Sequence, residues 1–169
     1  MSGVALEQAD LMKVFEAARW APSCFNGQPW RFVYARKGTA HFEKFLGLLV
    51  EANRVWCAQA GALVLVMAKK SLDNGNPLRT YSFDAGAAWM SLALQASMAG
   101  LVAHGMAGFD YDHAAELLQM PAGHSVEAMI ALGYPGSKDD LPEPLKARET
   151  PNGRKPICEL ISEGTFSKT

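Results

Sequence analysis

Apolar residues of this chain follow helical spacing in some stretches and form short continuous runs in others. The first helical stretch is predicted to begin at Asp10, a suitable N-cap, and to stop at Pro22, because proline cannot continue a helix. Its apolar face comprises Leu11, Val14, Phe15 and Ala18. A strand over 30–35 and a second amphipathic helix, from residue 42 to residue 54 or beyond, are predicted next.

The middle of the chain predicts elements that are buried on more than one face. Residues 61–68 form a continuous apolar run of strand length, which is typical of a strand covered on both faces. Residues 81–101 are apolar at nearly every position, but Asp84, Gln95, serines and glycines interrupt them too often for a membrane span. We therefore predict a buried central helix that ends near Gly100. A strand over 102–106, a small helix capped by Asp110 or Asp112, and a buried strand over 126–133 follow it.

The last part of the chain differs in composition from the rest. Prolines recur at 135, 142, 144, 151 and 156, so residues 134–169 are predicted to form an extended arm with little core of its own. Such an arm must lie on its own domain or on a partner subunit. The whole chain, 1–169, is interpreted as one domain that includes this arm. Because helices and strands interleave, the fold is predicted to be an α+β or α/β sandwich, in which the two short strands after the central helix can pair in either direction.

Composition and charge narrow the class of protein. Of 169 residues, 49% are apolar and 20% are charged, which is typical of a folded globular domain. The formal net charge is -1 and the chain has no lysine run, so nucleic acid is not an expected partner. Cys24, Cys57 and Cys158 are odd in number and widely spaced, and the N-terminus lacks the features of a signal peptide. We expect free thiols, no membrane association and a cytoplasmic location.

Motifs for metal or nucleotide chemistry are absent from the sequence. The four histidines show no H-E-x-x-H pattern, no cysteine pair has zinc-ligand spacing, and neither G-x-G-x-x-G nor the phosphate-loop pattern occurs. Cys24 lies just past the first helix and can be interpreted as a nucleophile, but no base accompanies it locally, so a packing role is favoured. Asp84 is interpreted as a first-turn carboxylate that meets the helix dipole, with general acid–base chemistry as the alternative.

One loop contains polar groups that a simple connector does not need. The segment A-P-S-C-F-N-G-Q-P-W, residues 21–30, places Ser23, Asn26 and Gln28 beside prolines and aromatic rings, which indicates a surface that holds something flat and polar. This segment resembles the A-P-S-x-x-N-x-Q-P-W signature of the nitroreductase-like flavoprotein family. Further segments resemble the family in the same order along the chain: 83–101 its buried central helix, 105–110 its flavin-facing glycine segment, 130–136 the strand and turn that follow, and 153–161 its C-terminal arm.

The resemblance implies a fold, a cofactor and a quaternary structure. The family's fold is an α/β sandwich with a central mixed sheet flanked by helices and an extended C-terminal arm. Its members are homodimers that bind FMN at the subunit interface, and they pass hydride from NAD(P)H through flavin N5 to a small electron-poor acceptor such as a nitroaromatic or a quinone. Because the flavin performs the chemistry while the protein binds and orients it, no catalytic side chain is expected.

The family's site residues correspond to positions of this chain. By similarity, the flavin slot is lined by Pro22, Ser23, Cys24, Asn26 and Gln28. Asn53 matches an asparagine that reaches the ring or the ribityl chain, and Met106, Ala107 and Gly108 form the segment that faces N5. Arg154 matches the arginine that meets the FMN phosphate. Four aromatic residues near the slot are interpreted as core rather than as slot walls: Trp20, Phe25, Trp30 and Phe109.

The sequence departs from the family pattern at the phosphate. Members usually begin with an arginine-containing element that contacts the phosphate, whereas no arginine precedes Arg19 here, and Asn152 replaces the second basic residue of the arm. Apart from this departure, the resemblance implies an FMN-dependent NAD(P)H oxidoreductase. One alternative is a flavin-binding protein of the same fold with weak FMN affinity and no efficient turnover. The other is a cysteine-dependent hydrolase that uses Cys24.

Overall fold

The computed structural model describes residues 1–166, which form two compact units, Met1–Ser137 and the segment from Lys138 onward. The last three residues of the predicted arm lie outside the described residues. The elements of the first unit, in chain order, are α1 (Gln8–Arg19), β1 (Trp30–Arg36), α2 (Ala40–Leu48), α3 (Glu51–Cys57), β2 (Ala62–Lys69), α4 (Tyr81–Met98), β3 (Val102–Met106), α5 (Tyr111–Leu117) and β4 (His124–Gly133). This order confirms the predicted α+β class.

The four strands form one sheet in the order β1-β2-β4-β3, and every neighbouring pair is antiparallel. The expected mixed arrangement is not found among these strands. Helix α4 does return the chain along the sheet, so that β2 and β3 run in the same direction, both starting at the end where β4 finishes at Gly133. Strand β4, however, inserts between them and pairs with both, which removes the parallel neighbours that a mixed sheet requires.

Strand β2 is buried on both faces, as its continuous apolar run predicts. One face of the sheet, represented by Val64 and Ile130, packs against α1 and α4. The opposite face, represented by Leu65 and Met129, packs against α2, α3 and α5. The fold of the first unit is therefore a sandwich of helices, sheet and helices, with one core on each side of the sheet.

Helix α1 begins earlier than the sequence predicts. Its N-cap residue is Glu7, whose side chain makes no capping hydrogen bond. Asp10 lies inside the first turn instead, where its carboxylate accepts from Lys13 Nζ at 3.0 Å and from the Tyr134 hydroxyl at 3.1 Å. Both hydrogen bonds lower the pKa of Asp10, and the contribution of Lys13 is the larger. Asp10 thus joins the helix to the end of β4 rather than capping it.

The predicted second helix is divided into α2 and α3. Leu49 and Val50 have extended backbone between the two helices. Leu49 forms an isolated β-bridge with Phe109, and the Val50 N–H donates to the Gly108 carbonyl at 3.1 Å. These contacts with the segment after β3 replace helical hydrogen bonds. They are tertiary contacts, so apolar periodicity does not report them.

Helix α4 is not the fully buried helix that its sequence predicts. Its buried stripe faces the sheet and consists of Ala85, Ala88, Leu92 and Ala96, together with Asp84. Its outer apolar stripe is exposed and consists of Phe83, Met90, Leu94 and Met98. Gly100, at φ +73°, follows the helix, and the Leu101 N–H donates to the Ala96 carbonyl at 2.8 Å, which confirms the predicted place of this glycine. An apolar sequence predicts burial without showing whether the covering surface belongs to the same chain.

The segment from Lys138 onward contains little regular structure. It has a 3-10 turn (Lys138–Asp140), helix α6 (Glu143–Lys146) and a second 3-10 turn (Ile157–Glu159). An ion pair of 2.7 Å between Lys146 and Asp139 joins α6 to the first turn. The apolar side chains of its last part are exposed: Ile157, Leu160, Ile161 and Phe166. Of the helices described in both units, none combines the length and the apolar character needed to cross a membrane.

Two glycines offer a matched test of how the N-terminal segment packs on the sheet. A Cβ on Gly61 would lie 2.7 Å from the Val4 carbonyl oxygen and 2.8 Å from Leu6 Cγ, whereas a Cβ on exposed Gly47 of α2 meets nothing within 4 Å. Gly61→Ala is expected to lower the free energy of unfolding by about 1–3 kcal/mol through overpacking. Gly47→Ala is expected to raise it by about 0.5–1 kcal/mol, since alanine suits a helix better than glycine. Urea titration followed by circular dichroism measures both changes, and an equal effect at the two positions would contradict the packing at Gly61.

Candidate functional site

The loop between α1 and β1 has an unusual backbone. Within and after its 3-10 turn (Cys24–Asn26), Phe25, Asn26 and Gln28 have φ values of +51°, +54° and +43°, in the left-handed region that favours glycine. Each such residue costs about 1–3 kcal/mol and persists only where its surroundings hold it in place. The Asn26–Gly27 dipeptide signals a turn of this kind, but the sequence gives no such signal for Phe25 or Gln28. The loop is therefore strained, and its shape depends on the contacts that hold it.

Hydrogen bonds hold this loop internally and where it enters β1. The Gln28 N–H donates to Ser23 Oγ at 3.0 Å, and the Asn26 N–H donates to the Ser23 carbonyl at 3.0 Å. Arg31 Nη1 donates to the Gln28 carbonyl at 2.9 Å. Both oxygens of Ser23 thus accept hydrogen bonds from within the loop.

A buried carboxylate holds the first part of the same loop. Asp84 lies in the first turn of α4, and only 4% of its surface is exposed. Its Oδ2 accepts from the Cys24 N–H at 3.1 Å and from the Thr80 hydroxyl at 3.0 Å. The position confirms the interpretation of Asp84 as a carboxylate that meets the helix dipole. The sequence does not signal the contact with Cys24, which lies 60 positions away along the chain.

The thiol of Cys24 has no catalytic partner in the part of the chain that the structure describes. Cys24 meets Asp84 through its backbone N–H, and no imidazole or carboxylate is hydrogen-bonded to its Sγ among those residues. A cysteine nucleophile requires a base within hydrogen-bond reach, so the structure does not support the hydrolase alternative. Within residues 1–166, no cluster of His, Cys, Asp or Glu can hold a metal ion.

Two of the aromatic rings interpreted as core are exposed. Phe25 is 86% exposed and Trp20 is 74% exposed, whereas Trp30 and Phe109 are buried as predicted. Asn26, next to Phe25, is exposed as well. The core interpretation is wrong for Phe25 and Trp20 because both lie where the chain leaves α1 for the loop, beyond the surface that the sheet covers. The loop therefore presents an aromatic ring and a carboxamide at the protein surface.

A second group of predicted site residues lies where the chain leaves β3. Asn53 Nδ2, in α3, donates to the Gly108 carbonyl at 3.1 Å, and the Val50 N–H donates to the same oxygen. A Cβ on Gly108 would lie 2.5 Å from Asn53 Nδ2, so this approach requires glycine. Among the described residues, Oδ1 and the second N–H of Asn53 have no protein partner. They can therefore bind a ligand.

Met106 lies inside the protein rather than at this surface. Its side chain is buried, and its Sδ lies 3.4 Å from Cys57 Sγ. Burial raises the pKa of the Cys57 thiol to about 12, so this thiol stays protonated and unreactive. The surface after β3 is consequently formed by Ala107 and Gly108, and the side chain of Met106 supports it from below.

The two groups of residues in the first unit lie at opposite edges of the sheet. The loop leads into β1, which is one edge strand, and Ala107 and Gly108 follow β3, which is the other. With about 4.8 Å between neighbouring strands, the two edges are roughly 14 Å apart. The chain thus presents these residues as two separate half-sites. Arg154 belongs to the second unit, where its Nη1 donates to the carbonyls of Asn152 at 3.3 Å and Gly153 at 2.9 Å.

Comparison with known proteins relates this arrangement to one family. The family model described as nitroreductase family matches residues 4–61. A crystal structure described as an oxidoreductase containing FMN is 41% identical, with a TM-score of 0.95 over 99% of this chain and 87% of the other. A protein of Mycolicibacterium smegmatis, named only as an uncharacterized 15.4 kDa protein, is 34% identical over 145 residues, which cover 80% of this chain and 97% of the relative. An NADH dehydrogenase of Thermus thermophilus is 27% identical over 165 residues, 76% of this chain and 77% of its own.

The burial of the three cysteines predicts a pattern of thiol reactivity. All three thiols are free; Cys158 is exposed, Cys24 is half-buried and Cys57 is buried. At about pH 8, a thiol reagent such as dithiobisnitrobenzoate is expected to modify two thiols of the native protein, because the third is inaccessible and protonated. Cys57→Ser is expected to leave this count unchanged, while Cys24→Ser lowers it by one. Three fast-reacting thiols in the native protein would contradict the burial of Cys57.

Proposed function

The chain belongs to the nitroreductase family, and we propose that it is an FMN-dependent oxidoreductase that transfers hydride from NAD(P)H to a small electron-poor acceptor, such as a nitroaromatic or a quinone. The observation that carries this proposal is the strained loop after α1, which exposes the ring of Phe25 beside the carboxamide of Asn26. The names of the relatives support it, since one contains FMN and another is an NADH dehydrogenase. We propose a cytoplasmic location because the three cysteines are free.

The groups that the two half-sites offer suit a flavin, which needs apolar contact for its rings and amide-type partners for its polar edge. Asn26 is exposed, and within the described residues its carboxamide has no protein partner. Asn53 offers its Oδ1 and one N–H. Gly108 has no side chain, so Asn53 can pack directly against its backbone. Asn26 and Asn53 would therefore hold the cofactor, and Gly108 would let Asn53 take its position.

These residues suggest separate roles for the cofactor and for the protein. FMN, when bound, supplies a ring that accepts hydride from a nicotinamide and gives it to the acceptor. Residues 22–28 would contact the ring and fix its position. The backbone of Ala107 and Gly108 would lie against its reacting edge and orient it. Hydride transfer itself requires no acid or base from the side chains of the two half-sites.

We propose that a second copy of the chain completes the flavin site. The two half-sites are roughly 14 Å apart at opposite sheet edges, so neither alone surrounds a ring system. The outer stripe of α4 is apolar and exposed, with Phe83 and Met98 at 81% and 83%. A contiguous apolar patch of this kind typically marks an interaction surface. A two-fold homodimer that buries these stripes would combine the loop of one copy with the Asn53–Gly108 half-site of the other.

Arg154 is the proposed ligand of the FMN phosphate. It is exposed, and the hydrogen bonds to its own segment use only Nη1. Its Nε and Nη2 groups have no partner among residues 1–166, so they can form the charge-assisted bonds that a phosphate accepts.

The proposed activity is tested with purified protein and FMN. The protein is expected to bind FMN and to oxidise NADH or NADPH with a quinone or nitroaromatic acceptor, with the parallel reciprocal plots of a ping-pong reaction. Asn26→Ala is expected to raise the Kd for FMN by about twofold to tenfold, as the loss of a neutral hydrogen bond implies. Asn74 is exposed and lies outside the half-sites, so Asn74→Ala is the matched control and is expected to leave the Kd unchanged. Failure to bind FMN overturns the proposal, and FMN binding without turnover establishes the alternative of a flavin-binding protein without efficient turnover.

A mixing experiment tests the shared site. Asn26→Trp blocks the loop half-site and Gly108→Leu blocks the other, so each variant alone is expected to bind little FMN. In a refolded equimolar mixture, each heterodimer has one site with both changes and one site with neither. About a quarter of all sites should then regain FMN binding. No recovery, or a monomer that still holds FMN in light scattering, would show that each site is built within one chain.

A further inference from the structure

Asp84 is a buried charged side chain, and one of its hydrogen-bond partners lies outside the helix that carries it. It is the one charged side chain that is buried among the described residues. Burying a carboxylate is costly unless hydrogen bonds and nearby positive potential compensate. The first turn of α4 supplies the potential, and the Thr80 hydroxyl and the Cys24 N–H supply the hydrogen bonds at 3.0 and 3.1 Å. The second of these partners belongs to the strained loop rather than to the helix.

The hydrogen bond from Cys24 to Asp84 lies next to the strained residues of the loop. Cys24 immediately precedes Phe25 and Asn26, the first two left-handed residues. The later part of the loop is held by Ser23 and Arg31, which bind the N–H and the carbonyl of Gln28. Among the hydrogen bonds of the described residues, the one to the Asp84 carboxylate ties the earlier part of the loop to α4. Strained residues persist only where surrounding contacts over-determine them.

We propose that Asp84 is a positioning residue for cofactor binding: it holds residues 22–28 in the strained conformation that receives the flavin. This inference rests on the proposed function. Asp84 does not need to touch the cofactor, because it acts through the backbone of Cys24. A carboxylate suits this task better than a neutral acceptor, since hydrogen bonds to a charged group are shorter and stronger. Thr80 orients the carboxylate by donating to the same oxygen.

The same helix turn provides a matched control. The Ser82 hydroxyl donates to Glu127 at 2.6 Å and so joins α4 to β4 without touching the loop. Ser82→Ala therefore removes one hydrogen bond between the first turn of α4 and a carboxylate of β4 and leaves the loop contact intact, whereas Asp84→Ala removes a carboxylate and both of its hydrogen bonds. Ser82→Ala is thus the control for losing a first-turn hydrogen bond of α4 that does not reach the loop.

The first measurement requires no flavin. Hydrogen exchange of the apo-protein, followed by mass spectrometry of peptides covering residues 21–30, reports the order of the loop. Asp84→Ala is expected to raise the exchange of this peptide by about tenfold or more, because a charge-assisted hydrogen bond is lost. Asp84→Asn keeps an acceptor oxygen and is expected to fall between Asp84→Ala and the original protein. Ser82→Ala leaves the exchange of this peptide unchanged.

The second measurement is the Kd for FMN, obtained by fluorescence quenching at a temperature where each variant is folded. Asp84→Ala is expected to weaken FMN binding about tenfold to a hundredfold. Asp84→Asn restores part of the affinity, and Ser82→Ala stays within about twofold of the original protein. Thr80→Val, which keeps the carboxylate but removes its orienting donor, is expected to weaken binding by less than Asp84→Ala does. If Asp84→Ala does not fold, Asp84→Asn and Thr80→Val decide the question.

The outcomes separate this inference from the proposed function. Faster loop exchange together with weaker FMN binding supports the positioning role. A lower melting temperature with unchanged loop exchange and unchanged Kd overturns it, since Asp84 would then only stabilise α4. If the original protein binds no FMN, the proposed function fails, and the exchange measurement still shows whether Asp84 orders the loop.

Discussion

A strand that is apolar on both faces must be covered on both faces, and this requirement of β2 determines how the helices are arranged. Helices α1 and α4 cover one side, and α2, α3 and α5 cover the other. The alanines on the inner stripe of α4 let this helix lie close to the sheet. Its first turn then reaches the end of the sheet where the loop enters β1. The position of Asp84 beside Cys24 is therefore a consequence of how the central strand is buried.

The loop shows how a rigid sandwich can support a conformation that the chain alone would avoid. Left-handed backbone at Phe25 and Gln28 is unfavourable, and both residues are exposed, so burial of their side chains does not compensate. Hydrogen bonds from fixed elements do so instead: one to a helix terminus and one from the first residues of a strand. Because these partners are held by the two cores, the exposed groups of the loop are positioned before any ligand arrives, which lowers the entropy lost on binding.

Much of this architecture follows from local patterns, and the failures share one cause. The apolar run of β2, the strand over 102–106 and the glycine after α4 depend on neighbouring residues, so the sequence predicts them. The break at Leu49, the contact of Asp10 with Tyr134 and the contact of Asp84 with Cys24 depend on residues far along the chain. The resemblance to the family singled out the residues of the loop and of the Asn53–Gly108 half-site. Their placement at opposite sheet edges depends on strand order, which spacing along the chain does not encode.

The long stretch of chain between the paired strands β2 and β4 also affects the protein while it is being synthesised. Strand β2 is complete at Lys69, but its partner β4 begins only at His124. At a ribosomal rate of about 5–20 residues per second, the nascent chain displays one unpaired apolar edge of β2 for several seconds. Such an edge can pair with another nascent chain. The yield of native protein in a cell would therefore depend on translation speed and chaperone supply as well as on the stability of the finished molecule.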